Sequence, residues 1–242
     1  MNTSSGDRLF FAGMGVVLLL IAVAGFGPSF FGAIVSGEFD RPWFVHVHGI
    51  MMFGWLLLFI AQAGLAGTGH LKLHMSLGLV GLPLFVLIMI GVVVVSVLGL
   101  IHTPPPIERL IDNIFLLQLF AFVLLPLFFV LGMTARRKHP LHHKRYMLLL
   151  TFLMVEAALS RVDYIPGMGS QDTFYWVQYL YLDTILLALV LYDWRTLGRI
   201  HPATLIGGGI IVAYQLTAVT LWDSKLWLST VDRIEAFLAA RL

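Results

Sequence analysis

Histidine is the residue type in this chain with the greatest capacity for chemistry. The sequence contains nine histidines and no cysteine, which excludes disulfides, iron–sulfur clusters, thiolate zinc sites, covalently attached c-type haem and cysteine nucleophiles. Imidazole is therefore the main candidate ligand for a metal ion or a haem. The histidines form two groups, one beside the outer ends of two apolar segments and one in basic loops: His46, His48 and His102, then His70, His74, His139, His142, His143 and His201.

The basic loops carry a weak internal repeat. Residues 69–74 and 138–143 align, and each copy ends in a histidine at the start of an apolar segment. Two imidazoles on two helices at the same depth are what axial ligation of haem requires. We therefore predict a haem b site with His74 and His143, or His142 in place of His143, as ligands. The alternatives are a metal ion held by these residues, or imidazoles that only contact lipid headgroups.

Three further residues belong to this predicted haem site. Arg145 and Lys144 would pair with the haem propionates, because a cation beside a carboxylate forms a strong charge-assisted hydrogen bond. Trp55 would line the pocket together with methionine and phenylalanine side chains. Contact with headgroups is the favoured interpretation for the remaining histidines of the basic loops, which are His70, His139 and His201.

A second candidate site is a metal centre at the opposite ends of the apolar segments from the basic loops. It is built from His46, His48 and His102 with a carboxylate. His46 and His48 are two residues apart, about 200° around a helix. Both could bind one ion only if the helix begins after them. For His46 alone, a position at the membrane interface is the favoured interpretation.

Two carboxylates lie inside apolar segments, which marks them as functional candidates because burying an ionisable group in a bilayer is costly. Glu156 and Asp183 both fall between mid-depth and the outer surface, and Arg161 is the nearest candidate partner. Gln118 and the Tyr214–Gln215 pair lie at similar depth. These residues predict a polar chamber that could relay protons, hold a quinone or other substrate, or bind a metal. Alternatively, the carboxyl groups only link helices through hydrogen bonds.

Composition identifies the elements that carry these residues. Of the 242 residues, 59% are hydrophobic and 12% charged, with a mean hydropathy of +0.92, which excludes an ordinary soluble protein and a disordered chain. Long continuous apolar runs predict an all-α polytopic membrane bundle of about seven transmembrane helices. The predicted segments are Leu9–Gly27, Phe44–Leu65, Met75–Ile101, Ile114–Thr134, Tyr146–Val162, Thr173–Tyr192 and Ala203–Trp222.

The distribution of lysine and arginine predicts the orientation. Nine lie on the side of the N-terminus and three on the other side, so the N-terminus is predicted to be cytoplasmic: Arg8, Lys72, Arg136, Arg137, Lys138, Lys144, Arg145, Arg195 and Arg199, against Arg41, Arg109 and Arg161. Residues 1–222 form the transmembrane domain. Residues 223–242 form a tail whose apolar spacing fits an amphipathic helix in the interface, although a frayed tail fits as well.

Part of the chain resembles known bacterial membrane proteins. The segment from His48 through Trp55 and Gln62 to His74 has the spacing H-x6-W-x6-Q-x11-H. It resembles an uncharacterised bacterial multi-pass family and the histidine hairpin of cytochrome oxidase assembly-type proteins. Residues 143–147 are similar to their second signature, H-[KR]-x-x-M. Histidines at helix mouths also resemble transmembrane b-type cytochromes. The likeness covers residues 44–162 and implies haem between helices, although the fourth segment lacks a histidine partner for His48.

Three functions follow as hypotheses. The first is a haem-binding redox or electron-transfer component of the bacterial inner membrane that exchanges electrons with a quinone. The second is an accessory or assembly subunit of a respiratory complex. The third is a metal-dependent intramembrane enzyme acting on a lipid. Because the basic residues lie in short loops, no nucleic-acid partner is expected, and no phosphate-binding glycine loop, His-Glu-x-x-His motif or nucleophile elbow occurs.

Overall fold

The computed structural model describes residues 5–37, 42–102, 108–170 and 172–241, and the regular elements in these ranges are all helices. Arg41, counted above for the orientation, and Leu242 of the tail lie outside them. A π-helical turn, Gly27–Phe31, joins the first two helices. The helices are α1 (Ser5–Phe26), α2 (Gly32–Ser36), α3 (Trp43–Gly67), α4 (Leu71–His102), α5 (Glu108–Ala135), α6 (Pro140–Met154), α7 (Glu156–Leu159), α8 (Phe174–Leu197), α9 (Pro202–Leu221) and α10 (Lys225–Ala239).

The chain is a multi-pass membrane protein built from helices. Within the described ranges, six stretches have the length and composition of membrane spans, and each corresponds to one predicted segment: Leu9–Ser36, Trp43–Gly67, Leu71–His102, Arg109–Ala135, Phe174–Leu197 and Pro202–Leu221. The first is longer than predicted, because Pro28 does not end it. Pro28 lies in the π-helical turn that continues directly from α1, and a proline and a π-helical turn are both features that bend a helix without ending it.

The predicted fifth segment takes a different form. Helix α6 ends at Met154, and the four-residue α7 begins at Glu156. Between them, the Val155 N–H group donates to the Phe152 carbonyl at 3.2 Å, so the chain makes one tighter turn there. The 15 residues of α6 extend only about 22 Å, which is shorter than a usual membrane span.

Helix α6 lies inside the bundle, and this explains its composition. It contacts α1, α3, α5 and α9. The run Leu148–Phe152 is buried on every side of the helix, including Thr151. A helix surrounded by protein needs no apolar face for lipid, so it tolerates the polar residues that weakened the hydropathy signal.

Consecutive long helices run in alternating directions, which gives the bundle two different ends. We call one the basic end: it holds the first turn of α1, the α3–α4, α5–α6 and α8–α9 connections, and most of the lysines and arginines. Hydrogen bonds across it join Asp7 to Lys144, and Arg145 to Asp193. The opposite end holds α7, α10 and the last turns of α4 and α9.

The C-terminal helix α10 packs against the opposite end of the bundle. Trp227 and Val231 are buried against Leu100 of α4 and against Phe115 and Leu116 of α5. The Trp227 indole N–H donates to the Asp112 carbonyl at 3.1 Å, and Ser224 caps the helix by accepting from the Trp227 backbone N–H. The amphipathic tail predicted from the sequence is thus a helix whose buried apolar residues pack against α4 and α5.

The contact between α1 and α7 requires a glycine. A Cβ atom at Gly25 would overlap the backbone carbonyl of Ala158, whereas a Cβ atom at Gly13 would meet nothing within 4 Å. We predict that Gly25→Ala lowers the free energy of unfolding by about 1–3 kcal/mol, the usual cost of overpacking. Thermal unfolding in detergent measures it.

Gly13→Ala is the matched control for this substitution, because Gly13 lies on the same helix and is exposed. It should be neutral or raise the stability by up to about 1 kcal/mol through helix propensity. Equal effects of the two substitutions would show that α1 and α7 do not pack as described.

Candidate functional site

The two histidines of the internal repeat meet at the basic end. The ring centroids of His74 on α4 and His143 on α6 are 6.4 Å apart, and the ring planes are nearly perpendicular at 83°. An imidazole nitrogen binds a metal at about 2.0–2.1 Å, so two imidazoles on opposite sides of one metal have centroids about 6–6.5 Å apart. The two rings thus lie at the centroid separation that a shared metal would require, in the edge-to-face arrangement that neighbouring aromatic rings also adopt.

Both imidazoles are held in the same way by the preceding helix. His74 Nδ1 lies 3.2 Å from the carbonyl oxygen of Gln62, and His143 Nδ1 lies 2.8 Å from that of Gly132. Because a carbonyl only accepts, Nδ1 must carry the proton in each ring. The lone pair is then on Nε2, the tautomer that a histidine ligand presents when its other nitrogen is anchored.

The packing beside the histidine pair also repeats, because in each hairpin a long side chain lies over a glycine. In the first hairpin the second helix carries the glycine, and in the second hairpin the first helix does. In the α3–α4 hairpin, the Gln62 side chain lies over Gly78, one turn after His74. In the α5–α6 hairpin, the Met147 side chain, one turn after His143, lies over Gly132. The Gln62 Oε1 atom is buried and has no hydrogen-bond partner in the described part of the chain.

The surroundings of His143 favour its neutral form. Burial lowers the pKa of His143 below the usual value, and the charges of His74 and Arg136 act in the same direction, while the hydrogen bond to Gly132 opposes them. A neutral imidazole is the form that can coordinate a metal.

Trp55 lies inside the bundle, deeper than the histidine pair. Its indole N–H donates to Thr151 Oγ1 of α6 at 3.1 Å. Its ring is 5.8 Å from that of Phe85, which stacks on Phe129 at 4.0 Å. The predicted aromatic lining is therefore a packed cluster between α3, α4, α5 and α6.

His142, the predicted alternative to His143, points to a different neighbour. Its ring is 4.5 Å from that of His201 and 5.4 Å from that of His139. His201 is the N-cap of α9, and its Nδ1 accepts from the Ala203 N–H at 3.1 Å. The structure thus pairs His143, not His142, with His74.

Arg145 has a different partner from the predicted propionates. Its guanidinium is buried and donates to the buried carboxylate of Asp193 on α8, with Nε at 2.9 Å from Asp193 Oδ1. The second carboxylate oxygen accepts from the Thr204 hydroxyl at 2.5 Å and from the His201 backbone N–H at 3.1 Å. Arg145 therefore ties α6 to α8 and α9.

Lys144 is engaged as well. Its ammonium lies 2.7 Å from the Asp7 carboxylate of α1, which also accepts from the Tyr192 hydroxyl. Burial raises the pKa of Asp7, but the hydrogen bonds from Lys144 and Tyr192 outweigh it, so the net pKa is lowered. Lys144 and Arg145, which were predicted to pair with haem propionates, are thus paired with carboxylates of the protein itself.

Glu156 lies in a buried cluster at the other half of the bundle. Its carboxylate accepts hydrogen bonds from Tyr214 at 2.7 Å and from Tyr179 at 3.0 Å, which brings together α7, α8 and α9. The two tyrosine hydroxyls are 3.4 Å apart. The tyrosines give the carboxylate the hydrogen bonds that a bilayer cannot supply.

Asp183 and Arg161 have hydrogen-bond partners other than Glu156. Asp183 accepts from the Gln215 amide at 3.0 Å, and its side chain is partly buried. Arg161 is exposed, and its guanidinium lies 4.7 Å from the centre of the Phe26 ring and donates to the Ala157 carbonyl. The Asp183–Gln215 pair adjoins the Glu156 cluster along both helices, because Asp183 is one turn after Tyr179 on α8 and Gln215 follows Tyr214 on α9. Arg161 instead stacks on an aromatic ring.

The structure does not gather the predicted metal ligands His46, His48 and His102. His48 packs against Gly91 with Nδ1 buried, His46 lies beside Phe30, and His102 Nδ1 is 3.1 Å from the Leu98 carbonyl of its own helix. Among the residues described, no three histidine, aspartate or glutamate side chains form a group that could hold a metal ion.

The fold and these clusters define a class: a multi-pass helical membrane protein with paired histidines at its basic end. Comparisons with protein-family models, curated proteins and solved structures find no match to this chain. The assignment of a function therefore depends on the geometry of the residues themselves.

Sequence reasoning missed Asp193 as the partner of Arg145. The predicted sixth segment ended at Tyr192 because charge-free intervals defined the segments, which assigned Asp193 to a loop. An arginine at the start of the least apolar segment was the available signal, because a buried guanidinium requires a carboxylate. Thr204 and His201 complete the same cluster and carry no distinguishing spacing.

The Arg145–Asp193 pair predicts a large cost for losing one partner. Asp193→Ala leaves a buried guanidinium without a counter-charge, so we expect a loss of about 3–5 kcal/mol of unfolding free energy. Thermal denaturation in detergent measures it. Asp7→Ala is the control, because the Lys144–Asp7 pair is partly exposed and should contribute less; a loss as large as that of Asp193→Ala would contradict the difference in burial.

Proposed function

We propose that this protein binds one haem b between α4 and α6, with His74 and His143 as axial ligands, and acts as an electron-transfer component of the bacterial inner membrane. The supporting observation is the 6.4 Å separation of two imidazoles that are both anchored through Nδ1 to backbone carbonyls. Haem would supply a reversible one-electron redox centre.

The number of ligands favours haem over a simple metal ion. A structural zinc site needs four protein ligands and a catalytic one three, and the described residues offer no group of three. Two histidines suffice for haem because the macrocycle supplies the other four nitrogens. Anchoring each Nδ1–H to a carbonyl fixes the ring orientation and raises the basicity of Nε2.

We also propose that α6 and α7 together form a seventh crossing and that the basic end faces the cytoplasm. The positive residues of the short connections at this end support that orientation. The haem would then lie near the cytoplasmic surface, with the Glu156 cluster on the other half of the membrane.

Replacing either ligand tests the proposal. We predict that His74→Ala and His143→Ala each abolish most of the Soret absorbance of the detergent-purified protein and the α-band of its dithionite-reduced form, since each variant loses an axial ligand. The matched controls are His70→Ala and His139→Ala, which remove histidines from the same two loops and should keep the full spectrum.

Two results would overturn the haem assignment. One is a wild-type protein without a Soret band when it is purified from haem-replete cells. The other is an unchanged spectrum in both ligand variants. A protein that lacks haem and copurifies with oxidase subunits would instead fit an accessory or assembly subunit of a respiratory complex.

The Glu156 cluster supports a quinol as the electron donor. Oxidation of a quinol releases two protons with its two electrons, and Glu156 with Tyr214 is a membrane-buried group that can take up a proton. A haem held by His74 and His143 would accept one electron at a time, so one quinol would reduce the haems of two protein molecules and leave as quinone after releasing its two protons. Loss of a positioned general base slows such steps by about 100-fold or more.

Glu156→Gln is therefore predicted to slow quinol-driven haem reduction by about 100-fold or more, with the haem spectrum unchanged. Stopped-flow absorbance with a soluble quinol measures the rate. Asp183→Asn serves as the control, because Asp183 is the other carboxyl group in this half of the bundle and its hydrogen bond is to Gln215, not to Glu156 or its tyrosines. A wild-type rate in Glu156→Gln would exclude a proton-transfer role for this carboxyl group.

A further inference from the structure

A groove at the basic end of α5 combines apolar and cationic walls. Its volume is about 440 Å³. Phe129, Val130, Met133 and Thr134 line it from the last turns of α5, and the segment 136–138 lines it just beyond the helix end. That segment is Arg136-Arg137-Lys138, three exposed cations in succession.

The apolar half faces the surroundings of the bundle. The Val130 side chain is 55% exposed, and Val123 and Leu127 continue the same exposed surface toward the middle of the membrane. In a multi-pass protein this surface contacts acyl chains. The groove is therefore open to lipid along its length and has its positive charge where headgroups lie.

The positive charge of the groove is not neutralised by the protein. The two described carboxylates at the basic end, Asp7 and Asp193, are paired with Lys144 and Arg145. No ion pair joins segment 136–138 to a carboxylate in the part of the chain that the structure describes. Three adjacent cations beside a membrane surface attract anionic lipid.

We propose that this groove is a binding site for one phospholipid with an anionic headgroup. One acyl chain lies along Phe129, Val130 and Met133, and the headgroup phosphate accepts hydrogen bonds from the segment 136–138. The shape accounts for the choice of ligand, because a soluble anion would leave the apolar half uncovered. The inference does not depend on haem binding.

Native mass spectrometry of the full-length protein tests the site. Delipidated protein is mixed with equal amounts of phosphatidylglycerol and phosphatidylethanolamine, and the bound lipids are counted. We expect preferential retention of one phosphatidylglycerol. The triple variant Arg136→Gln, Arg137→Gln, Lys138→Gln should lower that retention by about tenfold or more, since each cation near the surface strengthens anionic-lipid binding.

Two matched variants separate this site from general surface charge. Arg195→Gln with Arg199→Gln removes two exposed cations at the same end but outside the groove, and should keep the preference. Val130→Trp fills the apolar half without changing charge, and should also lower retention. Melting temperatures close to the wild-type value verify folding of each variant.

Three outcomes would overturn the proposal. They are equal retention of the two lipids by the wild type, equal loss in the groove and control charge variants, and unchanged retention in Val130→Trp. The last would mean that the cations attract the headgroup alone and that the groove is not part of the site.

Discussion

The burial of α6 is the constraint on which the rest of this structure depends. A helix surrounded by other helices has neither water nor lipid headgroups for its polar side chains, so each must find its partner in the protein. Arg145 finds Asp193 on α8, Thr151 receives the Trp55 indole from α3, and His143 contacts the Gly132 carbonyl of α5. These contacts fix how the neighbouring helices are arranged around α6 and how deep each one lies.

The same constraint prepares the histidine pair. A backbone carbonyl fixes both the orientation and the tautomer of an imidazole because it cannot rotate independently of its helix, and the proposed role of this pair as ligands would need both to be fixed. His74 and His143 obtain such carbonyls from the helix that precedes each in its hairpin. The repeated hairpin thus places two imidazoles, one on α4 and one on α6, beside each other at one end of the bundle.

The sequence predicted those parts of the structure that depend on local composition or spacing. Long apolar runs predicted seven segments, six of which are helices long enough to span a membrane, and the repeat with histidines at helix mouths predicted the pairing of His74 and His143. Prediction failed where packing between residues far apart in the sequence determines the length of a helix or the partner of a side chain. Helix α6 is short because protein, not lipid, surrounds it, and Arg145 has Asp193 as its partner because two helix ends 48 residues apart in sequence meet. Spacing along one chain contains no information about such pairs.

The proposed electron and proton sites differ in depth. His143 and Glu156 are 13 residues apart along α6 and α7, which corresponds to about 20 Å along a helix. An electron held at the basic end and a proton held at Glu156 would therefore lie in opposite halves of the membrane. Charge separation of this kind costs energy against a membrane potential: about 2.3 kcal/mol per 100 mV for a charge that crosses the whole membrane, and proportionately less over part of the about 30 Å core. A redox reaction that used both sites would accordingly depend on the membrane potential, unlike one confined to the basic end.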